Sequence, residues 1–263
     1  MTGRRFENKV GLVTGAASGI GLATALKLSE EGAGLVCLDL DQTGLANLQS
    51  QIDPEGLRCK TICGNVADLE SIDAAIETAV SSFGGLDYLV NNAGIAGPMK
   101  KFDAVDIEEF DKMVAVNLRS AWYGMKAAHA PMVERGGGAI VNVASMAGLR
   151  PNRHHSPYGM TKAGVISLTQ HAAMDFAVDN IRVNCLCPGP VDTPIFEKMR
   201  GVLGDKAYET TRRRVQQRTV MNRYGTTEEQ ASAIAFLLSD DASFMTGVAM
   251  PVDGGWAISD GHA

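Results

Sequence analysis

The chain is short of positive charge: 24 Lys and Arg stand against 30 Asp and Glu, a formal −6 over 263 residues, and the pI falls near 5.4. Such a balance excludes a sequence-independent grip on nucleic acid or anionic lipid, so an anionic ligand has to be met by local donors. Long hydrophobic runs are missing as well. None reaches the roughly 18 residues of a membrane helix, and the first nine residues carry no apolar segment behind Arg4 and Arg5. This reads as a soluble, cytoplasmic chain without a targeting signal. Cysteine is scarce: Cys37, Cys59, Cys63, Cys185 and Cys187 are odd in number and form no C-x-x-C. They point to buried reduced thiols rather than a disulfide framework. Linkers, low-complexity tracts and internal repeats are absent too, which argues against two domains.

What is present is enough for a large core, with 45% hydrophobic residues and mean hydropathy −0.01. Glycine is in excess: 29 of 263 residues is about 11%, against a usual share of about 7%, and without a Gly-X-Y period it must serve local backbone needs. Short apolar runs at 10–13, 35–38, 59–63, 86–90, 139–143, 181–186 and 248–252 alternate with amphipathic windows. Seven strands on a parallel sheet are expected from this βαβ rhythm. Leu69, Ile72, Ile76, Ala79, Val80 and Phe83 repeat at helical spacing behind Asp68 as N-cap, and Ala231, Ile234, Ala235 and Leu238 do so behind a capping box at 226–229.

Thr14-Gly15-Ala16-Ala17-Ser18-Gly19-Ile20-Gly21 follows the first strand and opens a helix. Glycines there permit a tight turn and close approach of backbone N–H groups to a pyrophosphate, which the helix N-terminus favours. Asp39 closes the second strand 18 residues after Gly21, near the ~20 expected of an acid that bonds an adenosine ribose. A carboxylate repels a 2′-phosphate, and neither Ser18 nor Leu40 is a cation that could receive one, so NAD is expected over NADP.

Tyr158 and Lys162 lie at i and i+4 in a helical window running from about 156 to 176, and share a face. A phenol of pKa near 10 is a poor base at neutral pH, whereas a neighbouring ammonium favours the phenolate. Ser145, at the end of the fifth strand, is within reach of the same place.

Taken together, residues 14–21, Asn91-Asn92-Ala93-Gly94, Asn117, Ser145, Tyr158-x-x-x-Lys162 and Pro188-Gly189-Pro190-Val191-Asp192-Thr193 resemble the short-chain dehydrogenase/reductase family from Lys9 to Gly255. The resemblance implies an α/β fold, a doubly wound Rossmann-type αβα domain with a seven-stranded parallel sheet. It implies Tyr158 as general acid/base for hydride transfer between NAD(H) and a secondary alcohol or ketone. Lys162 would bond the nicotinamide ribose and hold the phenol's pKa down, Ser145 would orient the substrate oxygen, and Asn117 would fix a water linking Lys162 to solvent. Asn65 and Val66 would meet adenine, with an Asn carbonyl accepting from its amino group. Asn92, Ala93 and Gly94 would line the ribose side, Val191 and Thr193 would bond the carboxamide, and Pro188 and Gly189 would let the backbone pass the ring. Asn91 reads equally as a structural tie between strands. Relatives commonly assemble as tetramers, so a homo-oligomer is expected, a tetramer or a dimer. A non-redox member (epimerase or dehydratase) and an NAD-binding regulator without turnover stand as alternatives.

Over the substrate should lie the segment after the fifth strand and an insertion at about 193–223 acting as a lid. The insertion carries Lys198, Arg200, Lys206, Arg212, Arg213, Arg214, Arg218 and Arg223 against Glu197, Asp205 and Glu209, eight minus three or +5 within a chain of −6. Arg150, Arg153, His154 and His155 add to it. One reading is an arginine clamp for an anionic substrate. The other has these cations solvated or paired, and Phe196, Met199, Tyr208 and Met221 forming an apolar cover for a neutral alicyclic or aromatic alcohol. His154 and His155 lack companions at metal-ligand spacing, and no metal is expected.

Overall fold

In the computed structural model, which describes residues 4–97, 99–193, 200–201 and 204–259, seven parallel strands form one sheet. They are β1 (Val10–Thr14), β2 (Gly34–Asp39), β3 (Cys59–Cys63), β4 (Tyr88–Asn91), β5 (Gly138–Val143), β6 (Ile181–Pro188) and β7 (Ala249–Val252), in the order β3-β2-β1-β4-β5-β6-β7. The seven expected strands are all present with boundaries shifted by up to two residues. Parallel strands need crossovers, and helices supply them on both faces: α1 (Gly19–Glu30), α2 (Gln42–Ile52), α3 (Leu69–Phe83), α4 (Ile107–Val114), α5 (Ser120–Glu134), α6 (Met146–Leu149), α7 (Ser156–Phe176), α8 (Asp205–Gln216) and α9 (Thr227–Leu238).

Both faces are dry, which is why the strands read as continuous apolar runs. Val13, Cys37, Val90 and Val141 point to one side with Leu28, Leu45 and Ile234. Their neighbours Leu12, Val36, Leu89 and Ile140 point to the other with Ile72, Ile76 and Met125. At β7, an edge strand, Pro251 is tolerated because it is exposed and need not donate on its outer side.

Helix ends follow the sequence only in part. Thr226 and Glu229 form the reciprocal capping box, with bonds of 3.2 and 2.8 Å. Asp68 occupies the N-cap of α3 as expected, in extended conformation and without a side-chain capping bond. Four of the five free cysteines are buried as expected, and Cys63 is exposed at the end of β3.

Asn91 is a structural tie. Its amide donates to Asn142 Oδ1 (2.9 Å) and to the Ala121 carbonyl (3.3 Å), and Asn142 Nδ2 donates on to Thr169 Oγ1 (2.9 Å). This buried chain locks β4, β5, α5 and α7 in one register. Among the described residues, no helix is long and apolar enough to cross a membrane.

Candidate active site

The chain leaves β1 toward β2 and β3, then returns to build β4 on the other side, so the carboxyl ends of β1 and β4 flank a crevice where ligands bind in doubly wound sheets. At this mouth the turn into α1 is closed tightly. A Cβ on Gly21 would fall 2.0 Å from the Gly15 carbonyl oxygen and 2.5 Å from Asn92 Nδ2. Ser18 stands at the N-cap of α1 without a side-chain capping bond, and the N–H groups of Gly19, Ile20 and Gly21 have no intrahelical partner. These donors and the helix dipole suit a pyrophosphate.

The opposite wall is latched to this turn. Asn92 Nδ2 donates to the Thr14 and Gly15 carbonyls (2.9 and 3.1 Å), while Thr14 Oγ1 accepts from the N–H groups of Asn92 and Ala93 (3.0 and 3.1 Å). Thr14 was not singled out from sequence, although it opens the quoted motif. Asp39 has a second task as well. One carboxylate oxygen accepts from Ala17 N–H at 2.9 Å and the other from Asp41 N–H at 3.0 Å, so the acid organises the glycine turn and still offers lone pairs and a negative charge to a ribose. Val66 is buried in the core. Asn65 Oδ1 already accepts from Ala67 N–H at 3.0 Å, which leaves one lone pair for adenine instead of a free carbonyl.

Further along the crevice Asn117, Ser145, Tyr158 and Lys162 converge. Asn117 lies in a π-helical turn, Ala115–Arg119, that joins α4 to α5. Such turns aim a side chain where a regular helix would not. Here Asn117 Oδ1 accepts from Ile95 N–H and Nδ2 donates to Ile95 C=O, both at 2.8 Å. Nδ2 also lies 3.3 Å from Thr161 Oγ1, whose hydroxyl donates to the Tyr158 carbonyl at 2.9 Å. A Cβ on Gly94 would stand 3.3 Å from both Asn117 Oδ1 and Lys162 Nζ, so glycine keeps open the space between them.

The buried stripe of α7 runs through Thr161, Lys162, Val165, Thr169, Ala172 and Ala173; its small residues press the helix onto β5 and β6, and its polar start faces the crevice. Ser145 caps α6 by accepting from Ala147 N–H at 3.1 Å, and its hydroxyl also meets the Tyr158 phenol. Lys162 Nζ donates to the Val143 carbonyl at 2.8 Å and stands 5.8 Å from the Tyr158 ring centre. Burial pulls the ammonium down to about 8, with Cys185 and Cys187 opposing. Burial also pushes the Tyr158 phenol above its ordinary value, the Ser145 bond countering in part. Lys162, 5.8 Å from the ring centre, is not among the causes of this shift; the lowering expected of it together with a nicotinamide belongs to the enzyme with its cofactor bound.

Behind this group, Val191 pairs with Gly225 in a single parallel bridge, Thr193 is half-buried, and Pro188 ends β6. Gly189 is required by the fold as well, since a Cβ there would lie 2.6 Å from Asp253 Cα.

Most of the expected anion clamp is spent on the protein itself. Arg150 Nη1 donates to the Trp256 and Ala257 carbonyls (3.2 and 2.7 Å), which ties this side chain to the 256–257 backbone. Arg212 makes a two-pronged pair with Asp192 (3.0 and 2.6 Å) and lies 4.6 Å from the Tyr224 ring centre. Arg223 pairs with Glu229, Arg200 with Asp205, and Arg218 stacks on Trp256. Arg153 is exposed. His155 stacks on Tyr158 itself. Phe196 and Met199 lie outside the described residues. Among the described residues, no cluster of three or more His, Cys, Asp or Glu is placed to hold a metal ion.

Residues 15–257 match the family described as enoyl-(acyl carrier protein) reductase, a branch of the short-chain dehydrogenases/reductases. The chain belongs to the short-chain dehydrogenase/reductase family. It is 36% identical to levodione reductase of Leifsonia aquatica over 95% of each chain, and 38% identical to cyclohexanol dehydrogenase of Acinetobacter sp. (strain SE19) over 96% of each. A crystal structure of NAD+-bound xylitol dehydrogenase matches this dehydrogenase/reductase with a TM-score of 0.89 and 34% identity, covering 95% of this chain and 99% of that one.

Proposed function

We propose that this family member is an oxidoreductase that interconverts neutral cyclic secondary alcohols and their ketones with NAD(H). The observation that carries the reading is the convergence of Asn117, Ser145, Tyr158 and Lys162 beside a turn whose free N–H groups suit a pyrophosphate. Similarity to levodione reductase and cyclohexanol dehydrogenase supports the ring-shaped substrate. The internal pairing of Arg150, Arg212 and Arg223 supports its neutrality.

When bound, the nicotinamide supplies the carbon that gives or takes hydride. Gly15, Ser18, Gly19, Ile20 and Gly21 would hold its pyrophosphate, Asp39 its adenosine ribose, and Asn65 and Val66 the adenine. Asn92, Ala93 and Gly94 would line the second ribose, with Pro188, Gly189, Val191 and Thr193 about the carboxamide. Asp39 favours NAD, because its carboxylate repels a 2′-phosphate and the next residue is the exposed Leu40.

Tyr158 moves the proton to or from the substrate oxygen, and Ser145 donates a hydrogen bond to that oxygen while keeping contact with the phenol. Lys162 uses one N–H on Val143 and has two left for a ribose hydroxyl or a water. Titrating at about 8, it can also pass a proton at ambient pH. Asn117 fixes the 94–96 backbone that walls this route. The insertion at about 193–223 acts as the lid. The groove of about 300 Å³ between α5 and α7, bordered by Trp122, Met125 and Phe176, together with the exposed Trp122 and Met174, supports a homo-oligomer, and reduced thiols suit the cytoplasm.

A panel of cyclic secondary alcohols, neutral and anionic in matched pairs, assayed for NADH formation tests this reading. Turnover of the neutral members with NAD is expected. Turnover confined to anionic members, or to NADP, overturns the substrate or cofactor assignment respectively.

A further inference from the structure

His155 precedes α7 but does not cap it by a side-chain bond. Its ring lies flat on the ring of Tyr158, with centroids 4.6 Å apart and planes at 19°. Nε2 is 3.1 Å from the carbonyl oxygen of Ala96. A carbonyl only accepts, so Nε2 carries the hydrogen and the tautomer is set. Ala96 follows Ile95, whose N–H and C=O are both held by Asn117 at 2.8 Å. One loop thus anchors Asn117 on one side and His155 on the other. The residue before, His154, has φ of +62°, a left-handed conformation uncommon among non-glycine residues although His adopts it more readily than most. Here it turns the chain so that the next ring meets Tyr158.

We propose that His155 is a positioning residue for Tyr158: the stacked imidazole fixes the plane of the phenol, and the Ala96 bond fixes the plane of the imidazole. The inference rests on Tyr158 as the proton-transferring group. The phenol has to keep its contact with Ser145 while a proton moves, and a ring free to tilt on an exposed face would lose that alignment. Stacking also keeps water off one face of the phenol, and the burial that pushes Tyr158 upward includes this cover. Lys162, the other titratable group beside the phenol, is 5.8 Å from the ring centre and is common to all the variants below.

Three substitutions separate the two contacts. His155→Ala removes both, His155→Phe keeps a stacking ring, and His155→Gln keeps a donor for Ala96 without a ring. Displacing a reacting group by about 1 Å can cost ~100-fold, so His155→Ala should lower kcat between about tenfold and 100-fold with the Kd for NADH within about twofold. His155→Phe should recover to within about threefold of the parent, and His155→Gln should stay near His155→Ala.

The second readout needs no turnover. In protein labelled with ¹³C at the tyrosine Cζ, the Tyr158 resonance is the one missing from Tyr158→Phe. Its titration midpoint should fall in His155→Ala as water reaches the ring, and return in His155→Phe. A His155→Ala protein that matches the parent in kcat and in midpoint overturns the proposal. So does a loss confined to KM for the alcohol, which makes His155 a substrate contact. If the midpoint moves as expected while no alcohol is turned over by the parent, the oxidoreductase reading fails and the positioning role stands.

Discussion

Lys162 Nζ donates to the Val143 carbonyl at 2.8 Å and sits 5.8 Å from the ring centre of Tyr158, one helical turn earlier on α7. A cation so enclosed is held at a cost to the fold. Its pKa drops from 10.5 to about 8 through burial, so the unfolded chain binds the proton more tightly than the native one. Stability contributed by this group therefore rises with pH between about 8 and 10.5 and is flat below that window. The gap corresponds to a ceiling of about 3 kcal/mol. Urea unfolding of the parent and of Lys162→Met should show the parent gaining on the variant from pH 7.5 to pH 10. An unchanged difference would mean that Lys162 is not desolvated as described.

The proposed preference for NAD rests on Asp39. The parent should prefer NAD to NADP in kcat/KM on the order of 100-fold, or ~2.7 kcal/mol, and Asp39→Asn should narrow the ratio by admitting the 2′-phosphate. Because Asp39 also accepts from Ala17 N–H, the substitution should weaken NAD binding too. Steady-state kinetics with both cofactors checks this, and an unchanged ratio contradicts it.

Arg212 ties α8 to the segment that follows β6 through Asp192. If its task is to hold the insertion, Arg212→Gln should raise KM for neutral and anionic alcohols alike, by about threefold to tenfold as one exposed ion pair is lost. A selective loss for anionic substrates would restore the anion clamp.

The strands, the glycine turn and the Tyr158–Lys162 pair were legible because each depends on local pattern: apolar runs on a sheet buried twice, and a spacing of four on one helix. What escaped depends on how distant segments meet. The π-turn that aims Asn117 has no sequence code of its own, and its bonds to Ile95 join residues 22 apart. Arg150 is expected near the substrate from sequence, and the carbonyls that also hold it lie over a hundred residues away. Spacing shows which charge is near Tyr158, whereas the burial that raises its phenol depends on distant segments closing over it. Thr161 could have been found, since it lies three residues after Tyr158 on the same face.

The polar chain through Asn91 makes a stability prediction. Asn91→Ala leaves Asn142 Oδ1 and the Ala121 carbonyl without their donor inside the core, which should cost about 1–3 kcal/mol. Denaturant midpoints measure it, and a loss well below about 0.5 kcal/mol would show that these groups find other partners.

Tyr158 carries the proton in the proposed reaction, and the glycine turn, Asp39 and Lys162 hold the cofactor. Measuring NADH binding and NADH formation from NAD and cyclohexanol, for the parent and Tyr158→Phe side by side, tests it most directly. An unchanged Kd for NADH is expected, with turnover reduced by at least about 100-fold, the lower reach of what a general acid/base contributes. Turnover within a few fold of the parent, with binding intact, would contradict it.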